Sequence, residues 1–385
     1  MTSILCISYS PLTRDARVLR QLSILAEFGE VVTVGYGDMP PHASRHVEIP
    51  ASELSLPQSP RGVALLGLRR HDAAEMATPA ARFARTALGD QRFDVVVAND
   101  VRALPLAFAV AGDAPVWADL HEWAPEERTH VFAWRVLVAP FMVHLCQKYL
   151  PRTAAVTTVG GEIAALYRQR FGVTATVMRN AAPLANLTPT TVDADKIRLV
   201  HSGGAIHGRN LELMIDVVRQ LDDRFSLDLY LVPAADGGRY LARLKRRAQG
   251  DPRIVFHDPV PPADLPAVLN AYDVGVFWIP PVHTNARLTL PNKLFDFVQA
   301  RLAVAVGPSV EMTRLVDEYG LGVVSDDFTV SACTYSLDSL TAYSVRAFKA
   351  ASDRAADELS FEREADAARM RLRELLSRGG AGERP

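Results

Sequence analysis

The chain has three cysteines in 385 residues, Cys6, Cys146 and Cys333. An odd number of widely separated thiols in apolar surroundings provides no disulfide framework and no cysteine metal cluster, and it fits a reducing compartment. There is no excess charge of either sign, since 42 Lys plus Arg face 44 Asp plus Glu for a formal charge of −2. No global field then attracts nucleic acid or an anionic surface, and any anion must be held by local groups. Long hydrophobic runs are missing too. The longest apolar stretch, Val131 to Leu145, is broken by Arg135 and Pro140 and is shorter than the roughly 20 residues of a spanning helix. The opening MTSILCISYS lacks the basic region and cleavage site of a secretory signal and reads as a first strand. HExxH, CxxC, GxSxG and the P-loop are all missing, which removes the residues that zinc peptidase, zinc ribbon, lipase and kinase readings need.

The composition is that of a folded protein, 49% hydrophobic and 22% charged, and the length calls for two cores. Short β-branched runs alternate with amphipathic segments. Ser3–Ser8, Val31–Val34, Val95–Ala98, Val116–Asp119 and Ala155–Thr158 read as strands, with helices expected at Arg17–Glu27, Leu104–Ala111, Val131–Tyr149 and Glu162–Phe171. PLANLTPTTVDAD at 183–195 has no period and reads as a linker. A second series follows, with strands at Ile197–His201, Leu227–Leu231, Ile254–Phe256, Val274–Phe277, Ala303–Val306 and Gly322–Val324. The fold class is therefore α/β, two Rossmann-like doubly wound domains facing across a cleft. The expected division is 1–182, a linker at 183–195, 196–345, a helical segment at 346–378 broken near Ser360, and a frayed tail at 379–385.

Four segments carry residues suited to chemistry. In LPNKLFDF, 290–297, Pro291 starts a helix that sets Lys293 and Asp296 on one face near the positive end of its dipole. Such a pair either serves a diphosphate and a ribose or is a plain surface ion pair. HSGGAIHGRNLELM, 201–214, is a strand, a glycine-rich turn and a helix start, with Arg209 beside backbone amides that can approach a phosphate; glycine turns of this kind also serve packing alone. Asn99-Asp100 and Asp119-Leu120-His121-Glu122-Trp123 follow strands, where open α/β sheets expose ligands. His121 is either a sugar-hydroxyl partner or a histidine satisfied by a carbonyl, and Trp123 either a sugar platform or core. In SPLTRDAR, 10–17, Asp15 reads as a helix N-cap and Arg17 as a first-turn residue.

Taken in order, these segments resemble the retaining glycosyltransferases of the GT-B fold, the group called glycosyl transferases group 1, with its family-4-type N-terminal domain. The matching stretches are DARVLRQLSILAEFGEVVTVG, AND at 98–100, DLHEW at 119–123, VMRNAAP at 177–183, HSGGAIHGRNLELMI at 201–215 and LPNKLFDFVQARLAVAV at 290–306. The resemblance implies a nucleotide sugar held mainly by the second domain through Ser202, Gly203, Gly204, Arg209, Asn292, Lys293 and Asp296. It implies an acceptor side made of Arg17, Asp100, His121 and Glu122, with catalysis by His121, Arg209 and Lys293. SFEREADAARMRLREL at 360–375 would return to the first domain. No cofactor and no metal are implied, because fixed cations and helix ends neutralise the leaving diphosphate. The implied acceptor is a cell-envelope saccharide or lipid-linked glycan, and the location is cytoplasmic, including the inner face of the membrane. Val131–Leu145 is either a core helix or a peripheral membrane contact.

Three departures stand out. Asp296 replaces the usual Glu, Leu288 stands where many relatives carry an acid, and Gly204 follows Gly203 where many carry an arginine. They keep two rivals open, a GT-B-fold sugar-nucleotide epimerase and a degenerate nucleotide-binding scaffold.

Overall fold

VVVAN at 95–99 and VWADL at 116–120 are buried at every position, as strands covered by helices on both faces must be. In the computed structural model, which describes residues 2–380 and the side chains of 2–377, these strands are β4 and β5 of a parallel sheet. The rest of that sheet is β1 (Ser3–Pro11), β2 (Glu30–Tyr36), β3 (Arg45–Ile49), β6 (Ala155–Thr158) and β7 (Thr176–Val177), in the order β3-β2-β1-β4-β5-β6-β7. A second parallel sheet holds β8 (Ile197–Ala205), β9 (Phe225–Pro233), β10 (Ile254–His257), β11 (Val274–Phe277), β12 (Ala303–Val306) and β13 (Gly322–Val324), ordered β10-β9-β8-β11-β12-β13. Each order runs outward from its first strand and then reverses, at β1/β4 and at β8/β11. Open α/β sheets present ligand sites beyond the strand ends at such reversals.

The chain divides into two compact units. The first runs to Arg179 and takes in His283–Asn285 and the chain from Ala365; the second is Asn180–Val282 with Ala286–Glu364. The 20-residue helix Phe361–Gly380 is fixed within the first unit by ion pairing of Arg369 to Glu27 at 2.8 Å and by Arg371 to Thr176 at 3.1 Å. Before it, Ala342–Ala355 opens with a capping box between Thr341 and Ser344. Beyond the backbone of 379 and 380, the tail expected to fray lies outside the described residues.

Two expected helices take other forms. Val131–Tyr149 is a π-helical turn, Trp134–Val138, followed by the helix Ala139–Tyr149. Pro140 has no N–H to give the Val136 carbonyl, and Arg69 Nη1 donates to that oxygen instead at 2.8 Å. The amphipathic stretch 262–271 also reads as a helix, but only Leu265–Leu269 is helical, because Pro259, Pro261 and Pro262 deprive the preceding turn of donors. Neither β3, whose RHVEI alternates only partly, nor the short helices Pro60–Gly67, His71–Glu75 and Pro79–Leu88 are among the expected elements.

The helix Asn292–Gln299 sits directly on β11. A Cβ at Gly275 would lie 2.3 Å from the Phe297 ring, so only glycine admits the ring there. Leu294, Phe295, Phe297 and Val298 are buried, and the exposed side of the same helix carries Lys293 and Asp296.

Candidate functional site

In the second unit β8 ends in Ser202, Gly203 and Gly204. Gly203 has φ +151°, a backbone state that favours glycine. A Cβ placed there would meet Lys293 Cε at 3.2 Å, His201 Nε2 at 3.7 Å and Arg209 Nη1 at 3.9 Å. Two cationic side chains from separate segments thus converge on one glycine. Gly204 extends the same space, with Arg209 Nη1 3.8 Å from its Cβ position. An arginine at 204 would compete with Arg209 for this room.

The charges here are incompletely matched. Lys293 Nζ donates to Asp296 Oδ2 at 3.1 Å, so the surface-pair reading is correct as far as it goes. The Arg209 guanidinium has no carboxylate partner among the described residues, and burial lowers its pKa; a half-buried cation without a counter-charge favours an anion. Pro291 is the N-cap of Asn292–Gln299, one position earlier than expected, and provides no capping side chain. The first-turn amides around Asn292 and Lys293 are therefore open to an acceptor. Ser202 Oγ is buried without a partner among the described residues.

His201 was not singled out in the sequence, although it closes the strand that carries the glycines. Its Nδ1–H donates to the Val276 carbonyl at 2.9 Å. Burial, reinforced by Lys293 and Arg209 over that carbonyl's opposing pull, lowers its pKa to about 4. The ring is neutral at pH 7 and turns an Nε2 lone pair toward Gly203. Leu288 is buried, as is Leu290, so the apolar departure is a packing residue.

The first unit gathers acids and their partners at its reversal. Asp119, the penultimate residue of β5, is buried and receives Arg17 Nη2 at 2.6 Å, Arg17 Nε at 2.8 Å, Thr157 Oγ1 at 2.7 Å and Gln21 Nε2 at 3.1 Å. Burial by itself raises its pKa, but Arg17 and His121 outweigh it and hold the carboxyl well below the usual range. Arg17 also donates to the Met178 carbonyl at 2.9 Å, so its donors secure the unit's own structure. Asp15 caps the Ala16–Leu25 helix through the Val18 amide.

His121 lies among acids. Asn99 Nδ2 donates to Gln21 Oε1 at 3.0 Å and to Cys6 Sγ at 3.4 Å, which leaves Oδ1 to accept from His121 Nε2 at 3.1 Å. Asp100 Oδ2 is 3.7 Å from Nδ1 and Asp119 Oδ2 3.6 Å from Nε2. Burial opposes protonation, yet Asp100 and Asp119 together raise the ring to about 8. Asp100 adopts φ +65°, rare for a non-glycine residue, while accepting the His121 amide at 3.0 Å. Burial pushes Glu122 up to about 8, helped by Glu127 and Asp100. Asp100, His121 and Glu122 thus come together, with Glu127 as a missed neighbour. Trp123 is core, 4.8 Å edge-on from Tyr167. Its backbone N–H and C=O bond Asn285 at 2.8 and 3.2 Å.

Two places suit a cation by composition. Asp72, Glu75 and His144 converge, but Lys148 Nζ already fills that position at 2.7 Å from Asp72 and 2.8 Å from Glu75. Asp193 and Asp195, counted with the second unit, form an Asp-x-Asp in which Asp193 accepts the Asp195 amide at 2.9 Å.

Two doubly wound parallel sheets, each followed by its own crossovers and closed by a helix counted with the first unit, define the GT-B fold. Solved structures of that fold match nearly the whole chain. HepE from Anabaena in complex with UDP-glucose matches at TM-score 0.69 and 14% identity, covering 97% of this chain and all of the other. Sucrose-phosphate synthase from Thermosynechococcus elongatus matches at TM-score 0.71 and 12% identity over 98% and 100%. A UDP-forming α,α-trehalose-phosphate synthase from Burkholderia vietnamiensis matches at 0.68 and 12% over 99% and 100%. No family model and no curated protein sequence matches the chain.

Proposed function

We propose that this protein is a glycosyltransferase that moves a sugar from a nucleotide-sugar donor to an acceptor hydroxyl with retention at the anomeric carbon. The observation that carries this reading is the convergence of Lys293 and Arg209 on Gly203, beside the uncapped start of Asn292–Gln299. A diphosphate brings the negative charge that Arg209 lacks, and amides at a helix start add donors in fixed positions. Asp296, next to Lys293, is the ribose-binding carboxylate. HepE, of the same fold, was solved with UDP-glucose and with UDP, which makes a uridine diphosphate sugar the first donor to test.

In this reaction the acceptor oxygen bonds the anomeric carbon as the bond from that carbon to the diphosphate breaks. The acceptor proton passes to the departing diphosphate oxygen. Lys293, Arg209 and the helix amides stabilise the charge that grows on that oxygen, so no metal is needed. His121⁺, Asp100 and Glu122 form the acceptor side, with Glu122 protonated at neutral pH and able to donate to a sugar hydroxyl. A cell-envelope saccharide or lipid-linked glycan is the proposed acceptor, and the cytoplasm the proposed location.

Thermal denaturation with a panel of nucleoside diphosphates and nucleotide sugars tests the reading, since a ligand of the native state must raise the midpoint. A cognate donor should also release nucleoside diphosphate, slowly to water and faster with acceptor. A panel that shifts nothing and releases nothing sinks the proposal. Deuterium entering the donor sugar without an acceptor would assign the site to epimerisation instead.

A further inference from the structure

The segments Leu54–His71 and Arg128–Val143 contain no Asp or Glu, in a chain whose charge is otherwise balanced. The first unit brings them side by side, with the helix Pro60–Gly67 against the turn Trp134–Val138 and Arg69 bonded to the Val136 carbonyl. Leu66 of this helix points inward, while Val63, Ala64, Gly67 and the adjoining Leu68 face outward. A helix on the surface of a water-soluble domain normally turns polar residues outward; here an apolar stripe does so. Leu68 is 73% exposed and Phe132, on the neighbouring segment, 70%. Val131 and Val136 extend the patch.

Arginines are interleaved with these side chains. Arg61, Arg69, Arg70, Arg128 and Arg135 are all exposed. Arg135 lies over the Phe132 ring at 5.5 Å and Arg128 over Trp134 at 5.4 Å. Of the acids that flank the two segments, Asp72 is engaged by Lys148 at 2.7 Å and Glu127 by Arg128 at 3.5 Å, while Glu53 precedes the first segment. Four arginines are left to meet outside charge. The expected core helix accounts for Phe141, Met142, Leu145 and Cys146, which are buried, and leaves the outward face of 131–136 without any covering.

We infer that this face of the first unit lies against a bilayer surface carrying anionic headgroups. Guanidinium groups pair with lipid phosphates, while Phe132 and Leu68 reach the acyl boundary beneath them, the arrangement of an interfacial rather than a spanning element. No helix among the described residues is long and apolar enough to cross a membrane. The inference does not depend on the donor chemistry above.

Flotation of the full-length protein with phosphatidylcholine vesicles, with and without roughly one third phosphatidylglycerol, tests it. The protein should float with the anionic vesicles, release in high salt, and float poorly with phosphatidylcholine alone. Replacing Arg70 and Arg135 with Gln should lower partitioning to the anionic vesicles on the order of tenfold. Replacing Leu68 and Phe132 with Ser should lower it comparably, and unchanged melting curves would show that both variants fold. Failure to float with the anionic vesicles, equal flotation with both kinds, or variants that float like the parent would overturn the inference. So would a parent dimer that Phe132→Ser turns into monomer, because the face would then be a protein interface.

Discussion

The two sheets share one winding pattern and carry differently matched charged groups at the same topological position. Where the first sheet reverses, the strand ends hold Asp100, Asp119 and Glu122 around His121; where the second reverses, they hold Arg209 and Lys293 around Gly203. The difference teaches that topology fixes where charged groups gather and the loop sequence fixes which groups they are. The charges also differ in how they are matched. Asp119 is matched by Arg17 within its own unit, whereas Arg209 has no acid among the described residues. The first arrangement matches its buried acid internally, and the second leaves a half-buried cation unmatched among the described residues.

The largest expected effect breaks that contrast from the first side. Arg17→Ala takes from buried Asp119 its two guanidinium hydrogen bonds, leaving His121 as the nearest cation, and should destabilise the protein by about 3–5 kcal/mol, measured by urea denaturation. Arg209→Ala should leave the melting temperature of the unliganded protein unchanged or raised, because it removes an uncompensated charge. It should nonetheless weaken binding of the cognate nucleoside diphosphate on the order of 100-fold by calorimetry, as loss of charge-assisted hydrogen bonds implies. If Arg209→Ala instead unfolds the chain, the cation is structural and the contrast fails.

A smaller effect is expected from Gly203→Ala. The added Cβ is strained at φ +151° and stands 3.2 Å from Lys293 Cε, so affinity for the same ligand should fall roughly tenfold with a stability loss of about 1–2 kcal/mol. A wild-type affinity would mean that the ligand never approaches that glycine.

The smallest effect is on pH dependence, and the two units should differ in its sign. His121 rises from 6.5 to about 8 and Glu122 from 4.5 to about 8 on folding. Protonation therefore favours the folded first unit, and that stabilisation is lost as pH climbs through 8. His201 falls from 6.5 to about 4, so the stability tied to its neutral ring is present above 6.5 and lost as pH drops toward 4. Melting temperature against pH should then decline on both sides of a maximum. His121→Asn with Glu122→Gln should flatten the alkaline side only, and His201→Asn the acid side only; a change on the opposite side would contradict these assignments.

Much of this was readable along the chain. The apolar β-branched runs named eleven strands, since a strand buried on both faces has little latitude in composition. β3 and β7 escaped, one half-polar and one only two residues long. Asp15 was legible as a cap because a cap depends on neighbours three residues away. The functions of His201 and Arg17 were not, because each depends on partners far off in sequence, Val276 for one and Asp119 for the other. The Lys293–Asp296 pair was read as two alternatives, and the structure contains the ion pair, with the lysine stem bordering Gly203.

What the sequence by itself determined is the succession of strands and helices, the two-unit α/β class and the residue types at each strand end, for these follow from local periodicity and composition. Tertiary structure decided which charges are matched and which are not, that Trp123 is core, and that Leu68 and Phe132 share one exposed face. Those properties depend on packing between segments tens to hundreds of residues apart, and no local pattern records how closely such segments approach.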